Sequence, residues 1–461
     1  MKARFRLALA GAIAMTLAAC ALRTPLPDLH ADLPAHWRNA PLPSDKLGPA
    51  PNLDSWWHAF NDARLDALIR RALQQNLTLQ QATLRLRGAR ALQHQSGTQF
   101  MPHLTFHTFS EPDPAARNSY YEMGFDAQWE LGFFGRGLGN ARVAAADLQA
   151  AEADVTAARV SLIAEVARNY VELRAAQARA ALLERIVRLR EQNLALAEVR
   201  LRLKLAARDD IDKAESALAQ ARADAAEPAA SIAQAQQALD VLLAEAQPDS
   251  SLAASAPQPT LGDLRFAQTP ADLLRTRPEI RAAELKVLRA AGELGIARAD
   301  LWPRLALSGT FISATRVVGD LDHVNKAIPS FGPLIDIPLF DWGARRDMAG
   351  ARDAGLRAAV LGYRQAVLEG VAEAESALAQ WQRERARADS ARTQLELADT
   401  ARTRTQELQR IGLADAADRA QAGIAQAQAQ LQAALAQRDA AIAFIAVYKS
   451  FGGTLPPLAM Q

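Results

Sequence analysis

The sequence predicts a mainly α-helical fold with a small membrane β part, built by tandem duplication of one unit. A proline that ends a helix recurs after 201 residues, at Pro102 and Pro303 (303 − 102). A glycine that precedes a long helix recurs after 208 residues, at Gly135 and Gly343 (343 − 135). Alternating apolar and polar residues follow each proline, and long alanine-rich stretches follow each glycine. A repeat of this kind determines the architecture more firmly than local propensity does.

The composition excludes some classes of function. The 461 residues include 53 basic and 51 acidic side chains, for a net charge of +2. This balance argues against nucleic-acid binding, which needs a basic surface. Aromatic residues make up 6% of the chain, which is low for a globular enzyme core, and many of the apolar residues are alanines that let long helices pack closely.

The N-terminus predicts an exported protein. A charged start, Met1–Arg6, precedes an apolar run, Leu7–Ala19, that is too short to span a membrane stably, so residues 1–19 are predicted to be a signal peptide. The only cysteine, Cys20, follows and excludes an internal disulfide. The segment Leu17–Cys20 resembles the lipobox of bacterial lipoproteins, which implies cleavage before Cys20 and its lipidation. An ordinary signal peptide with an incidental cysteine is the alternative.

The first copy of the repeat follows a proline-rich segment, residues 20–55, which is interpreted as a lipidated tether with no core of its own. Repeat 1 is predicted to span residues 56–246. Trp56-Trp57 and Phe60 open its first helix, and Asn76 separates this helix from a second at 77–98. Pro102 then stops the helical pattern.

Strict alternation marks the next segment, Tyr120–Leu131. One face carries Tyr, Met, Phe, Ala, Trp and Leu, and the other is polar or charged. Such a long strand with one apolar and one charged face is typical of a membrane barrel, with lipid outside and water inside. Its predicted partner is Leu104–Phe109. A soluble hairpin packed on helices is the alternative.

The second copy repeats the pattern, with strands predicted at 305–313 and about 328–340. Pro329, Pro333 and Pro338 weaken this hairpin, since proline removes ladder donors. Four strands cannot close a barrel, about eight are the smallest workable number, and an open edge is not tolerated in lipid. Transmembrane strands would therefore require oligomerisation, and three chains would supply about twelve strands.

Two long helices are predicted after each hairpin. The first runs from 139 to 205, about 100 Å, with leucines every seven residues and a second apolar stripe beside them, which indicates neighbours on two sides. A return helix, 211–246, should kink at Pro228. Repeat 2, residues 266–453, has the matching helices at 344–409 and up to Tyr448. Residues 247–265 are interpreted as a linker and 454–461 as a tail.

No catalytic constellation is present in the sequence, and neither a cofactor nor a metal site is predicted. Four glycines at 132, 135, 137 and 139 superficially resemble a phosphate-binding loop. Such a loop needs a buried parallel strand before it, whereas the strand here is amphipathic. The glycines are therefore interpreted as a strand-to-helix junction. His103 and His107, on an extended segment, are too far apart to share a metal ion.

The residues resemble the outer-membrane efflux family, specifically its TolC-like and OprM/NodT-like lipoprotein branch. The resemblance covers nearly the whole chain, and it depends on the order and spacing of several motifs together. These are Cys20 in its lipobox, Trp56–Asp62, Trp129–Gly135, Arg277–Arg281, Pro338–Gly343, Tyr363–Leu378 and Tyr448–Gly453. Two departures stand out: the first turn, Leu205–Asp212, lacks the usual glycine, and the first return helix ends in Leu243-Ala244 where leucine-glycine is typical.

The resemblance implies a homotrimer that shares one twelve-stranded outer-membrane barrel and a periplasmic tunnel of twelve helices. It implies no catalysis. It implies a periplasmic adaptor and an inner-membrane pump as partners, and localisation in the outer membrane with extension into the periplasm. The chain would be a passive conduit for small toxic compounds.

Two helix turns are candidate functional positions at the periplasmic tip. Asp415 and Asp418 are three residues apart and share a helix face. In a trimer each would form a ring of carboxylates, which makes a narrow neck cation-selective. The alternative is that they only cap the helix. The resemblance further assigns an adaptor-facing tip to Gly412 and, at the other turn, to Arg208, Asp209 and Asp210.

Two rival functions remain open from the sequence. A conduit for type I protein secretion uses the same architecture, and lipidation favours small-molecule efflux over it. A periplasmic coiled-coil scaffold without a pore belongs to a different class. The alternation at Tyr120–Leu131 argues against the scaffold, because a scaffold needs no lipid-facing strand.

Overall fold

The structure is a computed structural model that describes residues 25–29, 33–39, 51–111, 119–247, 249–262, 266, 269–318 and 322–453. The predicted signal peptide, Cys20 and the predicted tail at 454–461 lie outside the described residues, so their assignments stay predictions.

The first copy of the repeat contains five α-helices and two strands. In chain order they are α1 (Ala63–Gln75), α2 (Leu77–Thr98), β1 (His103–Glu111), β2 (Ser119–Glu130), α3 (Arg136–Arg202), α4 (Arg208–Ala226) and α5 (Pro228–Leu242). A 3-10 helix, Trp56–Phe60, precedes α1.

The second copy follows a short helix between the copies. The elements are α6 (Ser250–Ala253), α7 (Leu273–Thr276), α8 (Pro278–Ala299), β3 (Arg304–Val318), β4 (Asp322–Asp336), α9 (Ala344–Arg410) and α10 (Ala416–Phe451). A second 3-10 helix, Pro270–Asp272, lies directly before α7. The long helices α3 and α9 have 67 residues each.

The described chain forms two compact units. The sheet unit contains the described parts of 1–31, 84–153 and 279–366, and the helical unit contains those of 32–83, 154–278 and 367–461. All four strands belong to the sheet unit. Both turns between long helices belong to the helical unit.

The sheet is antiparallel throughout, in the order β1-β2-β3-β4. Both predicted hairpins are confirmed, β1 with β2 and β3 with β4. Strand β2 also pairs with β3, so the two copies of the repeat share one sheet. Among the described residues the four strands do not close on themselves, which leaves β1 and β4 as edges.

Several predicted boundaries were wrong. Strand β4 runs from Asp322 to Asp336, not from about 328 to 340, and it includes two prolines. It tolerates them because it is an edge strand: Pro329 and Pro333 are four residues apart, so both nitrogens face the same side, where no strand of the described sheet lies. The first helix begins at Ala63, because Asp62 caps it by accepting from the N–H groups of Arg64 and Leu65.

The helical unit is built around an aromatic cluster. Trp56 stacks on Tyr448 at a centroid distance of 5.6 Å and meets Phe444 edge-on at 6.0 Å. Trp37 stacks on Phe451 at 5.8 Å. The Trp56–Asp62 and Tyr448–Gly453 motifs, nearly 400 residues apart in sequence, therefore pack against each other. Burial raises the pKa of the Tyr448 hydroxyl, which donates to the carbonyl of Pro51.

Long helices pack here with small side chains between them. Leu183 and Ile186 of α3 form a buried cluster with Ala221 of α4 and Ala427 of α10. The prediction of helical neighbours on two sides of α3 is thus confirmed. The predicted kink is confirmed as a break, because α4 ends at Ala226 and α5 starts at Pro228.

Part of the predicted tether is attached to the helical unit. The backbone N–H groups of Arg38 and Asn39 donate to the carboxylate of Glu375, at 2.7 and 3.0 Å. The side chain of Gln382 donates to the carbonyl of Asn39. Residues 33–39 are therefore held along α9 by backbone contacts that the proline-rich composition does not reveal.

Candidate functional site: the sheet and the two helix turns

One face of the sheet is apolar and exposed. The cross-strand register places Phe106, Phe125, Phe311 and Pro329 in one row across all four strands. The rings of Phe106 and Phe125 lie 5.1 Å apart. The exposed members of this apolar face are Leu104, Phe106, Tyr121, Met123, Phe125, Trp129, Phe311, Phe331 and Ile335. A patch of this kind is unstable in water and fits the hydrocarbon of a membrane.

The opposite face of the sheet is polar. On β2 it carries Tyr120, Glu122, Asp126, Gln128 and Glu130, and each pairs with β1 or β3 residues whose side chains point the same way. The alternation predicted for this strand is confirmed. The two faces of one sheet thus differ as lipid-facing and water-facing surfaces differ.

The edges of the sheet leave backbone groups without partners among the described strands. In hydrocarbon, each such group costs several kcal/mol unless another strand supplies a partner. An apolar face and open edges are compatible in a membrane only if further strands continue the sheet. Since this chain describes four strands, further copies of the chain are the available source.

The junctions between strands and long helices use left-handed backbone. Phe134 and Gly135 have φ values of 60° and 91°, and Trp342 and Gly343 have 58° and 87°. These positions match at the 208-residue offset of the repeat. Gly137 and Gly139 lie inside α3, and a Cβ on Gly139 would come within 2.9 Å of the carbonyl oxygen of Gly292 on α8. The glycines therefore serve turns and helix packing, as the junction interpretation requires.

Aromatic side chains gather at the same junctions, and the sequence analysis assigned them no role. Phe134 stacks on Trp302 at 5.6 Å, and Phe340 meets Trp342 at 4.8 Å. Trp342 is 89% exposed. Tryptophan and other aromatic residues are enriched where a membrane protein crosses from lipid to water. Their position at the ends of the apolar strands could have indicated this belt from the sequence.

The second turn joins α9 to α10 and contains the predicted pore residues. Asp415 is the N-cap of α10: its Oδ1 accepts from the N–H of Asp418 at 2.8 Å, and the Asp418 carboxylate accepts from the N–H of Asp415 at 2.9 Å. This N–H donation from Asp418 lowers the pKa of the Asp415 carboxyl group. Asp415 also lies 3.6 Å from the guanidinium of Arg200 on α3. Both carboxylates cap the helix while remaining exposed.

Gly412 ends α9 with a φ of 78°, and the N–H of Leu413 donates to the carbonyl of Leu408. This is the left-handed helix end that glycine was predicted to supply. The first turn has the same hydrogen bonds, from Leu205 to Arg200, with Lys204 in the left-handed position at a φ of 59°. The missing glycine is therefore replaced by a strained lysine, and the turn is retained.

The first turn places its acidic residues at the start of α4. The carboxylate of Asp210 accepts from the N–H of Ala207 at 2.9 Å. Asp209 pairs with Lys213 at 2.5 Å, and this hydrogen bond raises the pKa of the lysine. Arg208, predicted in the turn, is the first residue of the helix. Asp210 and Ala417 line one cavity of about 330 Å³, so the two turns lie side by side.

Among the described residues, no helix combines the length and the apolarity that crossing a bilayer requires.

Comparison with known proteins identifies relatives over most of the chain. The sequence model of the outer membrane efflux protein family matches residues 68–245 and 269–453. Outer membrane protein OprJ of Pseudomonas aeruginosa is 31% identical over 379 residues, 80% of this chain and 79% of the relative. The toluene efflux pump outer membrane protein TtgF of Pseudomonas putida is 28% identical over 73% of each chain.

The fold also matches a solved structure. The outer-membrane channel OprN superposes with a TM-score of 0.79 at 28% identity, covering 94% of this chain and all of that chain. The four-stranded open sheet and the long helical hairpins are thus a fold that an outer-membrane channel uses.

Proposed function

The chain belongs to the outer membrane efflux protein family, and from this membership we propose that it is the outer-membrane conduit of a tripartite efflux system. The family consists of channel proteins of the outer membrane, not enzymes, that extend into the periplasm. In our proposal the chain conducts passively, while an inner-membrane pump supplies energy and a periplasmic adaptor connects the two. The exported compounds are small and toxic, in keeping with the toluene efflux named for one relative.

The observation that carries the proposal is the sheet with one exposed apolar face and two open edges. Phe125 and Phe331 lie on this face, and Phe331 is 80% exposed. Three copies would continue the sheet from β4 of one chain to β1 of the next and close a barrel of about twelve strands. The polar face would then line a water-filled passage, since the apolar face must contact lipid.

The turns complete the proposed conduit at its periplasmic end. Asp415 and Asp418 would form two rings of three carboxylates in a trimer, which narrow the tunnel and favour cations. Their helix-capping hydrogen bonds do not compete with this role, because both side chains remain exposed. Gly412 and the Arg208–Asp210 segment would face the adaptor. Cys20 would carry the lipid anchor at the start of the tether.

Two alternatives make different predictions. A type I protein secretion conduit would share the fold and the trimer, and it would be distinguished by its cargo. A periplasmic scaffold without a pore would not need the exposed apolar strands. Solubility separates the scaffold: a Cys20→Ser variant with a cleavable signal should still need detergent, because the sheet and not the lipid holds it in the membrane.

The direct test is the conductance of the purified full-length protein in planar bilayers. We expect rare, small, cation-selective openings from the wild type. The Asp415→Ala/Asp418→Ala variant should open more often and lose part of its selectivity. The matched control is Asp209→Ala/Asp212→Ala at the first turn, which should leave opening unchanged. Silence from both the wild type and the tip variant would refute the channel, and solubility without detergent would support the scaffold.

A further inference from the structure

A histidine on the polar face of the sheet lies between two carboxylates. The Nδ1 atom of His107 on β1 is 3.0 Å from Oδ2 of Asp126, and its Nε2 atom is 3.4 Å from Oε1 of Glu122. Both carboxylates are on β2. Glu122 also accepts a hydrogen bond from the hydroxyl of Tyr120, at 2.9 Å. We name this group of His107, Glu122 and Asp126 the histidine cluster.

The strand register builds the histidine cluster. His107 is directly opposite Gly124, so no side chain from β2 occupies the space beside the imidazole ring. Glu122 and Asp126 are two residues before and after Gly124, and period-two alternation puts all three positions on one face. A Cβ on Gly124 would also come within 2.5 Å of the carbonyl oxygen of Phe311 on β3. Glycine at this position therefore serves both neighbours.

The surroundings of the histidine cluster are mostly uncharged. The same-face partners on β3 are Ala314 beside Glu122, Ile312 beside Gly124 and Thr310 beside Asp126. The charged or titratable groups that share this face with the cluster are His103 and Glu111 on β1, Tyr120 and Glu130 on β2, Arg304 on β3, and Lys326 and Asp336 on β4. Lys326, in the row of Glu122, is separated from it by the width of β3.

The histidine cluster is a charge site with two states. With a neutral imidazole its net charge is −2, and with an imidazolium it is −1. Histidine is the side-chain type whose charge ordinarily changes within the physiological pH range. Within the described part of the chain, no set of three metal-binding side chains has the arrangement of a metal site. The cluster therefore offers charge to a passing solute and not a coordination sphere.

We propose that the histidine cluster is a second cation-selective constriction, located in the strand part of the conduit and weakened by protonation of His107. This inference rests on the proposed function, because the polar face lines a passage only in the closed barrel. Three chains would place three clusters at one height. Their six carboxylates would attract cationic solutes at the exit, independently of Asp415 and Asp418 at the tip.

The test measures reversal potentials in a KCl gradient, with all variants made in the Asp415→Ala/Asp418→Ala background so that the tip carboxylates do not contribute. The Glu122→Gln/Asp126→Asn variant should lower the K⁺/Cl⁻ permeability ratio about two- to fivefold, since it removes two charges per chain. In the unmodified cluster the ratio should fall between about pH 8 and pH 5 as the histidine gains a proton.

The matched histidine variants separate the cluster from the rest of the face. His107→Gln should remove most of this pH dependence and hold the ratio near its value at high pH. His103→Gln should retain the pH dependence, because His103 is on the same strand and face but opposite Gln128. If His107→Gln and His103→Gln behave alike, or if the carboxylate variant keeps the full ratio, the inference is refuted while the channel stands. If no variant conducts, the proposed function falls and the inference falls with it.

Discussion

Lys204 and Gly412 occupy the same position in the two copies of the repeat, 208 residues apart (412 − 204), and both have left-handed backbone. The same offset relates Ala244, with a φ of 56°, to Gly452, with a φ of 84°. Each pair ends a helix of the helical unit. At both ends the first copy adopts with an ordinary residue the conformation that the second copy reaches with glycine, so the fold imposes it and local propensity does not.

Replacing Lys204 by glycine should stabilise the protein. A left-handed conformation costs a residue with a Cβ about 1–2 kcal/mol, and the greater freedom of glycine in the unfolded chain cancels part of the gain. We expect a net gain of about 0.5–1 kcal/mol. The measurement is the midpoint of thermal unfolding in detergent. Lys204→Ala is the control: it removes the charge but keeps the strain, and an equal gain from it would contradict the strain argument.

Replacing Gly452 by alanine should destabilise the helical unit strongly. A Cβ there would lie 2.2 Å from the carbonyl oxygen of Thr276, in addition to the strain of a positive φ. We expect a loss of about 3 kcal/mol or more. Gly350→Ala is the matched control, because Gly350 lies within α9 with open space around it and should gain about 0.5–1 kcal/mol. Similar unfolding midpoints for the two variants would count against the steric conflict.

Arg174 should be required for attachment of the segment between the copies. Its side chain is fully buried, and its Nη1 donates to the carbonyl of Ala254 and to Oε1 of Gln177, each at 2.8 Å. Arg174→Ala would leave both acceptors unpaired and a cavity, at a cost of about 3 kcal/mol. Proteolysis of the 249–262 segment should accelerate. Arg168→Ala, which breaks an exposed pair on the same helix, should change neither readout appreciably.

The start of α10 should lose order in acid. The pKa of Asp415 is lowered in the fold, chiefly by the N–H of Asp418. Its stabilisation is therefore complete above the ordinary aspartate pKa of about 3.9 and is lost as the pH falls through the lower, folded value. Hydrogen exchange of residues 415–420 reports this loss directly.

Two variants isolate the capping interaction of Asp415. Asp415→Asn keeps an N-cap acceptor without a titrating group, so exchange at the start of α10 should become insensitive to pH in this range. Asp415→Ala should raise exchange at neutral pH, in line with a cap worth about 1 kcal/mol. Unchanged exchange in Asp415→Ala would show that the carboxylate does not cap the helix in solution.

A charge on the apolar face of the sheet should block membrane insertion. Phe125→Arg places a cation among exposed aromatic rings, and arginine on a lipid-facing strand costs up to about 2–4 kcal/mol. We expect reduced assembly into liposomes, measured as the fraction resistant to urea extraction. Gln128→Arg, on the polar face of the same strand, should assemble normally. Equal assembly of both variants would contradict the assignment of the two faces.

The alternation of β2 was sufficient to predict its strand and its two faces, because a period of two is determined by side-chain chemistry alone. The end of β4 was not predictable in this way: its prolines argued against a strand, and only its place at the edge of the sheet explains why they are tolerated. Gly412 was predictable from glycine chemistry. Lys204 and Ala244 were not, because their left-handed backbone is imposed by the surrounding fold.

The histidine cluster required the strand register. His107 was considered only with His103 on its own strand, whereas its partners are on the neighbouring strand. The signal was present in the sequence: pairing the two strands around a loop centred near Pro114 places His107 opposite Gly124. The attachment of residues 33–39 offered no such signal, since it depends on backbone N–H groups that any sequence provides.

The equal lengths of α3 and α9, 67 residues each, limit how this protein can change over time. The two turns, Lys204 and Gly412, lie side by side only because both helices have the same number of turns. An insertion in one helix must be matched by an equal insertion in the other, although the two sites are more than 200 residues apart in the sequence. Length variation in this chain therefore has to occur in pairs, as a change to both copies or to neither.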